Sequence, residues 1–196
     1  MAEIIHREFY CRPGTDVARD LIGKVLVRST PESATRGIIV ECEAYLGRID
    51  PAAHSYKGMT ERTRVLFGEK GHAYVYLIYG MYRCLNISVG LPEAPECVLI
   101  RALEPVAGLD VMARRRGTTS DKKLCSGPGK LCMAMDVGAA QYGADLCGES
   151  DGLWLEYGDS RPTVEISPRI NIDYAGEAAG WPLRFTAKNS AWLSVR

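Results

Sequence analysis

Histidine is scarce in this chain: 196 residues contain three, with no HExxH pair and no Cys-x-x-Cys spacing. The usual zinc signatures are therefore missing, and neither a metal nor a cofactor is expected. The seven cysteines (Cys11, Cys42, Cys84, Cys97, Cys125, Cys132 and Cys147) are odd in number and irregularly spaced. That argues against a disulfide framework and for reduced thiols. No apolar run approaches the length of a membrane span, so no membrane partner is expected. The opening MAEIIHREFY lacks the basic-then-apolar export pattern, which points to the cytoplasm, or to the nucleoid in a bacterium. No repeat, low-complexity tract or domain-length linker breaks the chain, so a single domain over residues 1–196 with a sizeable core is expected.

Net charge is missing as well, with 24 Lys/Arg against 24 Asp/Glu. A zero sum argues superficially against nucleic acid, but distribution matters more. Residues Lys57 to Leu131 hold twelve Lys/Arg and seven Asp/Glu, a surplus of five positive charges that the two ends offset. A basic middle between acidic ends can present one electropositive face. An ordinary surface fluctuation is the plainer account.

The most informative stretch is Gly71 to Ser88, GHAYVYLIYGMYRCLNIS. Six aromatic, β-branched or aliphatic residues, a Gly-containing break and a second β-compatible run predict a β-hairpin. Its tip, Tyr79-Gly80-Met81-Tyr82, is unusual, because hairpin tips face water and favour Asn, Asp and Gly. Such a tip is either packed under another element or built to insert into something.

Elsewhere, Thr15-Asp16 precedes apolar residues at helical spacing, with Gly23 as the stop. Strands are expected at Lys24–Arg28 and Arg36–Leu46, with a polar turn over Thr30–Thr35. In the second strand Glu41 and Glu43, two residues apart, point the same way; a solvated strand end would explain them. Asp50 to His54 reads as a capped helical turn presenting His54, and Thr60 to Phe67 as a short helix. Cys97 to Leu103 is an apolar strand that carries Arg101. An unpaired buried charge costs several kcal/mol, so Arg101 needs a carboxylate or an anion. Gly108 to Arg116 reads as a helix ending in three arginines, followed by a polar loop over 117–123. Ser126-Gly127-Pro128-Gly129-Lys130 opens another helix in a manner suited to phosphate, without Walker A spacing. Leu153–Glu156, Thr163–Ile166 and Leu183–Ala187 read as further strands.

Six stretches taken together and in order, VECEAYLG (40–47), AAHS (52–55), YVYLIYGMYRCLNIS (74–88), VLIRALEP (98–105), LCSGPGKLC (124–132) and PLRF (182–185), resemble one family. It is the alkyladenine (3-methyladenine) DNA glycosylases of the mammalian type. The resemblance implies an α+β fold: one mixed domain with a curved antiparallel sheet, flanking helices and a protruding hairpin. It implies a monofunctional glycosylase that excises damaged purines from duplex DNA, acting as a monomer without metal or cofactor. By the same resemblance Glu43 is the general base that activates a water. Arg101 and the main-chain carbonyl of Ile170 help to hold that water. Tyr45, His54 and Tyr76 form the base pocket, and Asn86 disfavours undamaged guanine. Tyr79 is the intercalating side chain, with Met81, Arg114, Arg115, Lys122 and Lys130 as further DNA contacts. Residues 170–174, INIDY, differ from the Gly- and His-containing version in the mammalian proteins.

Overall fold

The computed structural model describes residues 3–195. Its strands are β1 (Val25–Thr30), β2 (Ser33–Tyr45), β3 (Ala73–Ile78), β4 (Tyr82–Val89), β5 (Glu96–Ala107), β6 (Leu153–Glu156), β7 (Val164–Ser167) and β8 (Arg184–Ala187). The pairing is antiparallel throughout. The main path runs β3-β4-β5-β2-β1-β6, and β8 branches from β2 with β7 beyond it. Helices α1 (Gly14–Leu21), α2 (Leu109–Arg116) and α3 (Pro128–Ala134) complete the α+β architecture. Among the described residues no helix is long and apolar enough to cross a membrane. All seven cysteines are free thiols.

The centre of the sheet is β2. One edge pairs along β5, while the other is divided: residues 33–38 pair with β1 and residues 41–43 with β8. Alternating residues of these strands fill the principal core, where Leu26, Ile39, Leu85, Ile87, Ile100 and Phe185 are almost wholly withdrawn from water. Helix α1 adds Val17, Ala18 and Leu21 to that core, as its spacing predicts. Burying such side chains is worth about 1.5–3 kcal/mol each and dominates the stability of the sheet.

Local chemistry explains where the elements depart from their expected bounds. Helix α1 begins at Gly14 rather than after Thr15, because a carboxylate from β5 satisfies its first turn: the Gly14 N–H donates to Glu96 Oε2 at 2.7 Å. The expected helix at 60–67 is a turn followed by a 3-10 segment, Arg64–Phe67. The Thr60 and Thr63 hydroxyls bond to each other and to nearby backbone N–H groups, which competes with an α-helical start. The polar turn over Thr30–Thr35 is only the two-residue link Pro31-Glu32, with Thr30 opposite Ser33. Within 117–123, Asp121–Lys123 forms a 3-10 turn.

The turn after β2 is fixed from inside. Asp50 accepts from the Leu46 and Ala52 N–H groups at 3.1 and 3.0 Å and takes both ends of the Arg169 guanidinium, with Oδ1 to Nη2 at 2.9 Å. Both side chains are fully buried. Removing one partner of such a pair strands the other charge, so Asp50→Ala is expected to cost about 3–5 kcal/mol. Thermal unfolding should register this as a fall in Tm of roughly 6–20 °C; a change within 2 °C would contradict the role given to the pair.

Candidate active site

The hairpin of β3 and β4 stands free at its end. Tyr79 is 76% exposed and Met81 68%, so the tip is not packed under another element. Tyr79 and Gly80 both have positive φ (52° and 70°), and the Met81 N–H donates to the Ile78 carbonyl. That is the pattern of a type I′ turn, which suits glycine and strains tyrosine by about 1–2 kcal/mol. The chain thus keeps a strained aromatic residue at a solvent-facing tip.

Glu43 lies at the middle of the sheet with no exposed surface. Its Oε1 accepts the Ile170 N–H at 2.8 Å; its Oε2 accepts the Tyr45 hydroxyl at 3.0 Å and Arg101 Nη1 at 3.3 Å. Arg101 reaches it because the β2–β5 ladder is locally irregular. Cys42 faces Ile100 and Ile39 faces Leu103, but Glu41 pairs with Ala102, which leaves Val40 and Arg101 without cross-strand partners. Such irregularities re-aim side chains. Arg101 also donates from Nε to Glu41 Oε1 at 3.0 Å and from Nη2 to Ser194 Oγ at 3.3 Å. Glu41 in turn accepts Arg184 Nε at 2.9 Å. Burial pushes the Glu43 pKa up, against the pull of Arg101, Ile170 and Tyr45, and Glu41 pushes it further. A carboxylate so raised is a better base than an ordinary one. Tyr45 is held neutral, because burial and the Glu43 charge push its phenol pKa well up.

Three aromatic rings, those of Tyr45, His54 and Tyr76, line the cleft in front of this carboxylate's partners. Tyr45, at the end of β2, is backed by the Arg169 guanidinium 4.6 Å from its ring centroid. Tyr76 meets His54 edge to face at 4.6 Å, and Arg62 lies 4.8 Å over the Tyr76 ring. His54 Nδ1 sits 2.8 Å from the Tyr74 hydroxyl and 3.5 Å from Arg62 Nη2. Arginine can only donate, so Nδ1 carries the lone pair and Nε2 the hydrogen. His54 is an exposed residue; even so, crowding around the ring, followed by the Arg62 charge, pushes its pKa down to about 4.

These groups share one cleft of about 750 Å³, bounded by Tyr45, His54, Tyr76, Tyr79, Arg101 and Ile170, among others. Its lining includes Arg62, Arg101, Arg116 and Lys130 but no Asp or Glu; Glu43 stands behind the wall, reached through its three partners. Gly129 presses against Tyr82, where an added Cβ would fall 3.0–3.2 Å from two ring carbons and Cβ, so the Gly-Pro-Gly loop packs against the start of β4, beside the turn. Asn171 has a φ of 58°, a conformation that Asn tolerates better than most residues.

The structure brings Glu43, Arg101, Tyr45, His54, Tyr76, Tyr79, Lys130 and Ile170 together at this cleft. Asn86 lies beneath it, buried, with Nδ2 donating to the Tyr74 carbonyl at 3.2 Å. Met81 and Lys122 are exposed, and Arg114 pairs on the surface with Asp110. Arg115 is turned inward, its Nη1 donating to the Ala134 carbonyl at 3.1 Å, so α2 uses it to hold α3. The surroundings of the cleft include residues that the sequence did not single out. Arg62 lines it, while Arg184 and the buried Asp50–Arg169 pair lie outside the lining. Ser194 carried no signal at all. The His54 arrangement predicts that ¹⁵N NMR will show the neutral Nε2–H tautomer throughout pH 5–8, with protonation near pH 4; a midpoint above pH 6 would contradict it.

The family model for methylpurine-DNA glycosylase (MPG) matches residues 8–191. A protein of Methanocella arvoryzae is 49% identical over 194 residues, covering 98% of this chain and 96% of that protein. The human DNA-3-methyladenine glycosylase is 46% identical over 202 residues, covering 96% of this chain and 67% of the human protein. The mouse DNA-3-methyladenine glycosylase is 45% identical over 203 residues, covering 96% of this chain and 60% of its own length. With a family model spanning nearly its whole length and relatives this similar, the chain belongs to the methylpurine-DNA glycosylase family.

Proposed function

We propose that this protein is a base-excision-repair DNA glycosylase. It flips damaged purines (3-methyladenine, 7-methylguanine, hypoxanthine and ethenoadenine) out of duplex DNA. It then hydrolyses the N-glycosidic bond and leaves an abasic site. The observation that carries this reading is the placement of one buried carboxylate behind an aromatic slot, in a cationic cleft that ends at a free aromatic tip.

Each part has a physical task. The cationic lining attracts phosphates, and the lack of carboxylates on the same wall avoids repelling them. Flipping a nucleotide costs a few kcal/mol of unstacking, which Tyr79 offsets by filling the gap and stacking on the neighbouring bases. The base then lies between Tyr45 on one side and His54 and Tyr76 on the other. Alkylated purines that carry positive charge gain attraction from these ring faces. Asn86, fixed by its bond to the Tyr74 carbonyl, disfavours the exocyclic amine of guanine.

Glu43 takes a proton from a water as that water attacks C1′, while the departing base carries away the bonding electrons. Its charge also stabilises the oxocarbenium-like sugar of the transition state. The Ile170 N–H on Glu43 sets that peptide beside the carboxylate, which supports a role for its carbonyl as the second holder of the water. Water is the nucleophile, so no Schiff base forms and the DNA strand is left intact.

Single-turnover release of free base from duplexes carrying one hypoxanthine, or methylated purines, tests the reading. Glu43→Gln should retain lesion binding and lose about 10²–10⁴-fold in excision; equal loss of binding and excision, with the fold intact, counts against the assigned role. Tyr79→Ala should weaken preference for damaged over intact duplex by roughly 5- to 150-fold, the worth of one base–aromatic stack. Duplex binding by the native protein that does not fall with salt would contradict the role given to the cationic wall.

A further inference from the structure

The segment after β8 reaches the wall of the cleft. Trp192 and Leu193 pack against the principal core, and Ser194 and Val195 contribute to the cleft lining. Ser194 meets Glu41 twice, its N–H donating to Oε2 at 2.6 Å and its hydroxyl to Oε1 at 2.7 Å. Its Oγ also accepts Arg101 Nη2 at 3.3 Å, and the Val195 carbonyl accepts Arg184 Nη2 at 2.8 Å. Glu41 is fully buried behind the cleft lining, yet it takes four hydrogen bonds from three residues, two of which, Arg101 and Ser194, line the cleft.

The guanidinium of Arg101 has a fixed fork of donors. Nε is committed to Glu41 and Nη2 to Ser194, which leaves Nη1 for Glu43. We propose that Ser194, together with Glu41, is a positioning residue for base excision: it fixes the Arg101 fork so that Nη1 alone supports Glu43. This inference rests on the assignment of Glu43 as the base. Without the Ser194 hydroxyl, Glu41 loses a donor and Nη2 loses its acceptor. Two parallel N–H···O bonds to a single carboxylate are the favoured geometry for arginine. The fork then turns its Nε–Nη2 edge onto Glu41, and Nη1 draws away from Glu43.

The other groups around Glu43 stay in place. These are Tyr45, Cys42 and Glu41 on β2, Cys84 on β4, Arg184 opposite it on β8, and Arg169, the Ile170 N–H and Tyr174 beyond β7. Of its charged partners Arg101 is the one that moves, and losing it raises the affinity of Glu43 for its proton.

The test compares native protein with Ser194→Ala and Ser194→Thr on a hypoxanthine duplex, reading single-turnover release against pH and lesion-duplex affinity separately. In Ser194→Ala, release should slow by roughly 10- to 100-fold, the range produced by misplacing a reacting group by about an ångström. Affinity should stay within about twofold, and the acid limb of the profile should move to higher pH by about half a unit or more. Ser194→Thr, which keeps the hydroxyl, should restore both. Unchanged rate and limb in Ser194→Ala, or equal losses of affinity and rate, would overturn the proposal. The Glu43 carboxyl ¹³C signal, assigned by its loss in Glu43→Gln, is titrated in the DNA-free protein alongside. It should titrate higher in Ser194→Ala, and identical midpoints would overturn the proposal even if the native protein released no base. Absence of release from the native protein would bring down the reading of function instead.

Discussion

A single guanidinium shared by two buried carboxylates governs the geometry of the cleft. Arg101 stands between Glu41 and Glu43 in the interior of a sheet, where each charge alone would be costly. Arg184 adds a second cation beside Glu41. The strands had to accommodate this cluster: β5 and β2 lose regular register at Arg101 and Val40, and β2 gives up β1 as a partner to take β8 where the carboxylates lie. The cluster also separates two carboxylates that look equivalent in sequence. Glu41 is surrounded by donors and serves as an anchor, while Glu43 is left with a raised proton affinity and partners that face the cleft.

Strain and exposure mark the other half of the site. A tyrosine with positive φ at a solvent-facing tip lowers the stability of the isolated protein and exposes apolar surface. Tyr79 itself is 76% exposed, so neither cost is offset by burial of its ring. The plain reading of an aromatic strand, that it belongs to the core, holds for Tyr74, which is fully buried, and fails for Tyr79 five residues later. The difference lies in the turn between β3 and β4, which carries the chain out of the body.

Much of the fold could be read from the residues. The hairpin, the long central strand, the later short strands and helices α1, α2 and α3 follow from periodicity and from Gly and Pro placement. The need for a partner at Arg101 followed from its apolar neighbours, although sequence left open which carboxylate it would find. Two of the failures share a cause: they depend on contacts distant in sequence. Glu96 satisfying the start of α1 spans 82 positions, and Ser194 bonding to Glu41 spans 153. No local pattern encodes such pairs. Thr60 and Thr63 show the opposite case, where side chains compete locally with the backbone and defeat a helical pattern.

The Asp50–Arg169 pair joins the two walls of the aromatic slot. Asp50 fixes the turn from which His54 emerges, and Arg169 lies over the Tyr45 ring and precedes Ile170 in the chain. The spacing of the slot is therefore set by a buried ionic spacer beneath it, like the screw of a calliper, rather than by the rings themselves. Under the proposed function, a base would enter a gap whose width was fixed when the chain folded, and little ordering of the walls would remain to be done on arrival. Thickness and planarity would then be gauged by a part of the molecule that never touches the base.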